Sequence, residues 1–181
     1  MRISAQPLIP NDIIGLAFVQ TNSVTIANTD AESEIMGTGL GSKTLPPNFF
    51  TVGQHITAKI KGVMETTGNP TIRLRTYLGG NLLADSGDVS LGPTSGPVFM
   101  SVEFGYTCRT AGSSGTGIGQ ARFLYDTGNA EGIIGAVMTT PAALNTTVAN
   151  VILITIEWGT ASESNSLVST NATIDIKPKR Y

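Results

Sequence analysis

GPVFMSVEFGYTC, residues Gly96 to Cys108, is the stretch whose reading decides the fold. Val98, Met100, Val102, Phe104, Tyr106 and Cys108 fall on one side, and Phe99, Ser101, Glu103, Gly105 and Thr107 on the other. In a strand successive side chains point to opposite faces, so this run is a half-buried strand. A helix would scatter the apolar set around its circumference.

The same period recurs on either side. Between His55 and Met64, Ile56, Ala58, Ile60 and Met64 oppose Thr57, Lys59 and Lys61. Between Thr71 and Leu78, Ile72, Leu74 and Leu78 alternate with Arg73, Arg75 and Tyr77. Ile152, Ile154, Ile156 and Trp158 alternate with Val151, Leu153, Thr155 and Glu157; apolar residues on both sides predict a central strand covered twice. Ala172, Ile174 and Ile176 form a last inward set. Weaker strands are expected at Ile13 to Gln20, Ser23 to Ala27, Glu32 to Met36, Asp88 to Leu91, Gln120 to Tyr125 and Ile133 to Met138. Turn signals separate them, among them Thr67-Gly68-Asn69-Pro70, Gly79-Gly80-Asn81 and Gly112-Ser113-Ser114-Gly115. Beyond a turn at Pro141 to Leu144, no helix is expected. The 24 threonines and 21 glycines agree, since β-branched residues suit a pleated surface and glycine suits turns.

These features predict an all-β chain, a jelly-roll-like antiparallel β-sandwich over residues 31–181. Residues 1–30, with Pro7 and Pro10 among scattered apolar residues, are expected to form an extended N-terminal arm that packs on a neighbouring subunit or on its own domain.

Charge is sparse: 13% of residues are charged and the net charge is −2, which gives no footprint for nucleic acid or an anionic membrane. The Lys177-Pro178-Lys179-Arg180 stretch reads as a solvated tail. No run approaches the roughly 20 apolar residues that span a bilayer, and the N-terminus lacks the apolar core of a signal peptide. A chain made in a cytoplasm, with no nucleic-acid or membrane partner, is expected.

Two glycine-rich stretches invite a nucleotide-binding reading. In GTGLGSKTLPPNFF, Gly37 to Phe50, Ser42 separates Gly41 from Lys43, and Leu45-Pro46-Pro47 cannot open the helix a phosphate loop requires. Phe49 and Phe50 are expected in the core. In Gly115 to Gln120 a dinucleotide fingerprint would need glycine where Gln120 stands, so this segment reads as a loop.

Catalytic material is thin. His55, the sole histidine, is expected exposed or capping at a strand start. Cys108, the sole cysteine, sits on an apolar face and reads as a small hydrophobe. One cysteine and one histidine leave no zinc spacing and no intrachain disulfide. Glu103, Asp126, Glu131, Glu157 and Asp175 are dispersed carboxylates. Tyr77, Tyr106, Tyr125 and Trp158 offer aromatic surface for a sugar, though strand aromatics belong more often to a core or a subunit contact. The reading is therefore a non-enzyme, with no catalytic, cofactor-binding or metal residue and no cofactor.

The block GTGLGSKTLPPNFFTVGQHITAKIKGVMETTGNPTIRLRTYLGG, with CRTAGSSGTGIGQARFLY and LITIEWGTASESNSLVSTNATIDI after it, resembles tailed-bacteriophage virion proteins of the jelly-roll head-decoration (cement) and fibre-tip type. The resemblance covers roughly residues 37–176. It implies a homotrimer that binds the major capsid protein on the outer surface of the phage head and stabilises the shell. The alternative is the receptor-binding head of a tail or fibre.

Overall fold

The computed structural model describes residues 15–126, 131–137 and 140–177. Among these residues there are fifteen strands and no helix. The first nine are β1 (Gly15–Gln20), β2 (Val24–Ala27), β3 (Ser33–Glu34), β4 (Gly39–Gly41), β5 (Thr44–Leu45), β6 (His55–Glu65), β7 (Thr71–Leu78), β8 (Asn81–Asp85) and β9 (Val89–Ser90). The rest are β10 (Val98–Thr110), β11 (Thr116–Asp126), β12 (Glu131–Val137), β13 (Ala142–Ala143), β14 (Asn150–Trp158) and β15 (Ser166–Lys177).

They form two antiparallel sheets packed as a sandwich. The larger runs β12-β11-β10-β6-β15-β1-β4, with β13 beside β11 and β2 beside β15. The smaller runs β3-β14-β7-β8, with β5 beside β14 and β9 beside β7. The chain crosses repeatedly between sheets, so the core is built from residues distant in sequence. Ile56 and Ile60 of β6, Val102 and Phe104 of β10, Leu74 of β7 and Ile154 and Trp158 of β14 all belong to one buried cluster. Each such large side chain removed from water contributes about 1.5–3 kcal/mol before entropy is counted.

The alternation in β10 is complete: Met100, Val102, Phe104, Tyr106 and Cys108 are buried, while their outward neighbours are not. β15 shows why its pattern was only half legible. Leu167 and Ser169 face inward, then Ala172, Ile174 and Ile176, a change of parity in the sequence. A bulge between Ser169 and Asn171 inserts one extra residue against β6 and restores the inward face. Gly79 and Gly80, with φ of 57° and 80°, form the two-residue link of the β7–β8 hairpin, a conformation that suits glycine.

Several expectations change. Pro141 to Leu144 holds no helical turn; Ala142 and Ala143 pair with Gly117 and Thr116 as β13. The Gly115 to Gln120 segment is no loop; from Thr116 it is strand β11. Its alternating glycines make room for the core. A Cβ at Gly117 would collide with the Tyr106 hydroxyl, and one at Gly119 would press on Leu83 and Phe104 at 3.3 Å. β14 is central in its sheet, but its second face is only partly covered, and Val151 is exposed. Of residues 1–30, those up to 14 lie outside the described residues, and β1 and β2 pair with β15 in the larger sheet. Phe49 and Phe50 are buried as expected, and Phe50 meets the Tyr106 ring edge-on at 5.2 Å.

Candidate functional site: the outer face of the larger sheet

Register converts the strand pattern into a map of this face. One cross-strand row reads Asn171, Lys61, Ser101, Leu124, Ile133. The next reads Thr173, Lys59, Glu103, Arg122, Gly135. Then come Asp175, Thr57, Gly105 and Gln120, followed by Lys177, His55, Thr107 and Ile118. At the opposite end stands an apolar row in which Val168, Val63 and Phe99 are consecutive neighbours, with Thr25 of β2 beyond Val168. Phe99 is 53% exposed, Val63 38% and Ile133 64%, which is large for strand residues of this kind.

A depression crosses the middle of the face. It has a volume of about 440 Å³ and is lined by His55, Thr57, Glu103, Gly105, Gln120, Arg122, Ile133 and Gly135 among others. A second depression of about 280 Å³ shares His55, Gly105 and Gln120 and extends to Thr107, Arg109 and Ile118. The hollow exists because Gly105 and Gly135 place no side chain in rows that otherwise stand proud. The polar groups around it are held in place. His55 Nδ1 lies 2.9 Å from Thr107 Oγ1, and Nε2 lies 3.2 Å from Thr57 Oγ1. Burial first, and the Lys177 charge second, lower the His55 pKa, so the ring is neutral at pH 7. Arg122 donates to Glu103 at 3.2 Å, and Lys59 approaches the same carboxylate at 3.7 Å.

The smaller sheet carries a different surface. Arg73 pairs with Asp85 through two hydrogen bonds of 2.8 and 2.6 Å. Arg75 bridges Glu32 and Glu157 at 2.8 and 2.6 Å. Tyr77 donates to Glu32 at 2.8 Å, and Thr155 donates to the same carboxylate. The Arg73 hydrogen bonds hold the Asp85 carboxyl at about 2. Burial opposes ionisation of Glu32, but the Thr155, Tyr77 and Arg75 contacts outweigh it and lower its pKa.

The residues singled out from sequence are thus separated. His55 is half-buried on the face, not free at a strand start, because Thr57 and Thr107 flank it. Cys108 is buried. Glu103 belongs to the groove and Glu157 to the ion-paired surface, and Asp175 stands in the Thr57 row. Asp126 pairs in register with Glu131 at the far end of the sheet, and the Glu131 side chain lies outside the described residues. Tyr106 and Trp158 are core, so neither lines a sugar site, and Tyr77 is committed to Glu32. Tyr125 covers Gly132 on the neighbouring strand. Gln120, Arg122, Arg109 and Gly135 were not marked for function by sequence. Only the glycine in mid-strand at Gly105 hinted at a hollow there.

Among the described residues no group of three or more His, Cys, Asp or Glu side chains is placed to hold a metal ion. No helix among them is long and apolar enough to cross a membrane. The sequence matches no protein-family model and no curated protein.

Proposed function

We propose that this chain is a virion structural protein, a capsid decoration (cement) protein of a tailed bacteriophage that works by holding other proteins together. The observation that carries the reading is the row Val168–Val63–Phe99 on the outer face of the larger sheet, in which Val63 and Phe99 are exposed. An apolar row at one end of a sheet face suits a contact with another protein surface. β2 lies at the end of that row through Thr25, so β2 and the row form one surface. The sandwich in this reading is of jelly-roll type and assembles as a trimer, which covers strand edges that would otherwise be open. Copies seated on neighbouring capsid subunits stabilise the assembled shell because they bind it and not its separated parts.

The test is to measure solution mass, then quantify the chain in purified particles. The reading expects a trimer, and many copies per head in a number set by shell symmetry. Phe99→Asp with Val63→Asp should leave the fold intact and strip the chain from heads. A monomer absent from heads, or a few copies confined to the tail, would overturn it; the latter favours the receptor-binding alternative.

A further inference from the structure

The hollow at the other end of the same face is built differently, and its chemistry is not that of a flat protein contact. Its two depressions join at His55, Gly105 and Gln120. Along β10 they run from Glu103 to Arg109, about 20 Å at roughly 3.3 Å per residue. We infer that this trough is a binding site for an acidic saccharide, a chain of sugar rings carrying carboxylates.

Three observations point to that occupant. First, the walls offer mixed donors and acceptors in a small space: the exposed Gln120 amide, the Thr107 hydroxyl beside the His55 ring, and the Arg122–Glu103 pair. Sugar hydroxyls, each both donor and acceptor, match such a set. Ile133 and Ile118 supply apolar surface for the C–H faces of the rings.

Second, charge is asymmetric. Around the trough stand Lys59, Lys61, Arg109, Arg122 and Lys177, against Glu103 and Asp175. Glu65 and Asp126 lie at the far end of the face, near Phe99. In a chain of net charge −2 this is a local cationic surplus. Glu103 takes up Arg122 and Lys59, whereas among the described residues the arm of the trough toward Arg109 and Ile118 is lined by no acidic residue. A carboxylate on the ligand fits there.

Third, the floor rules out the common modes of peptide capture. β10 and β11, which form its floor, have both edges paired, so no strand can add between them. Among the described residues no aromatic side chain lines it, so they supply no surface of the kind that grips polyproline segments.

The inference does not depend on the capsid reading, because the free chain suffices to test it. Tetragalacturonic acid, maltotetraose and a hexaglutamate peptide would be titrated into the full-length protein and followed by amide chemical shifts and calorimetry. Saturable binding of the tetragalacturonate is expected, with shifts at Gly105, Gln120 and Arg122. Arg109→Gln should weaken it about tenfold, the loss of one charge-assisted contact. Gly105→Val should abolish it by filling the floor. A Cβ there meets His55 Cε1 at 3.4 Å, an ordinary contact, and a melting curve checks that the sheet also accepts the valine methyls. Gln120→Ala, on an exposed side chain, supplies a second variant that leaves the fold untouched. No saturable binding, undiminished binding by Gly105→Val and Gln120→Ala, or equal affinity for maltotetraose would overturn the inference. Tighter binding of hexaglutamate would overturn it in favour of an acidic peptide.

Discussion

On the smaller sheet, Arg73 and Arg75 are locked against Asp85, Glu32 and Glu157, and Tyr77 and Thr155 both donate to the second oxygen of Glu32. On the larger sheet, Lys61, Arg109 and Lys177 form no salt bridge with a carboxylate among the described residues, and they stand beside a glycine hollow at one end and an apolar row at the other. Both surfaces cover the same core, and both are made of alternate residues on long strands. The difference lies in what those residues do for each other. A satisfied network has little left to offer a partner, while unpaired donors beside exposed apolar groups keep their binding capacity.

The sharpest break in this comparison separates the face from the core beneath it. Phe104→Ala removes a fully buried ring under the hollow and should cost about 3–5 kcal/mol, read from urea unfolding. A loss under 1 kcal/mol would mean that the two sheets are not packed tightly there.

Next comes Arg75→Met. It leaves Glu32 and Glu157 facing each other without their shared cation, and should cost about 1–2 kcal/mol. The same change at Arg122, on the larger sheet, should cost no more than about 0.5 kcal/mol, since its pair with Glu103 is exposed. Equal losses would erase the contrast between the faces.

The two faces should also titrate in different windows. Asp85 has a folded pKa of about 2 against an ordinary value of 3.8. Its contribution is therefore present above about pH 4 and is lost as pH falls toward 2. Asp85→Asn should remove that acid-limb slope, with a loss near neutrality of at most about 1 kcal/mol because the pair is partly solvated. His55 also has a lowered folded pKa, so the unfolded chain binds the proton more readily. Stability should fall as pH drops below about 6.5, and His55→Gln should flatten that slope. Thermal midpoints measured from pH 2 to pH 8 check both, and a neutral-range slope that survives His55→Gln would refute the second.

The smallest effect on stability belongs to Phe99→Ser, within about 0.5 kcal/mol, because the ring is already half in water. Its effect on association should be much larger. Loss of both together would place Phe99 in the fold's own packing.

Much of this architecture was legible from the chain alone. Side chains alternate across a strand with a period of two, so β6, β7, β10 and β14 could be read residue by residue, with Phe104 and Trp158 inward and Lys59 and Arg75 outward. Where an extra residue interrupts the period, the reading faltered. β8 is such a case: Leu83 and Ala84 are both buried, beside a register shift opposite Thr76 and Tyr77. The start of β11, ahead of the strand expected from Gln120, was hidden by Gly117 and Gly119, which look like a loop until Tyr106 and Phe104 are seen to need the space.

The candidate site was illegible for another reason. Lys59, Glu103 and Arg122 are neighbours only because β6, β10 and β11 pair in one register, and sequence distance carries no trace of that pairing. What sequence by itself determined is which side of each strand meets water, since that follows from local geometry. Which outward residues meet one another, and so whether a charge is spent on a partner or left available, was decided only by the tertiary structure, because register is set by the packing of the whole core.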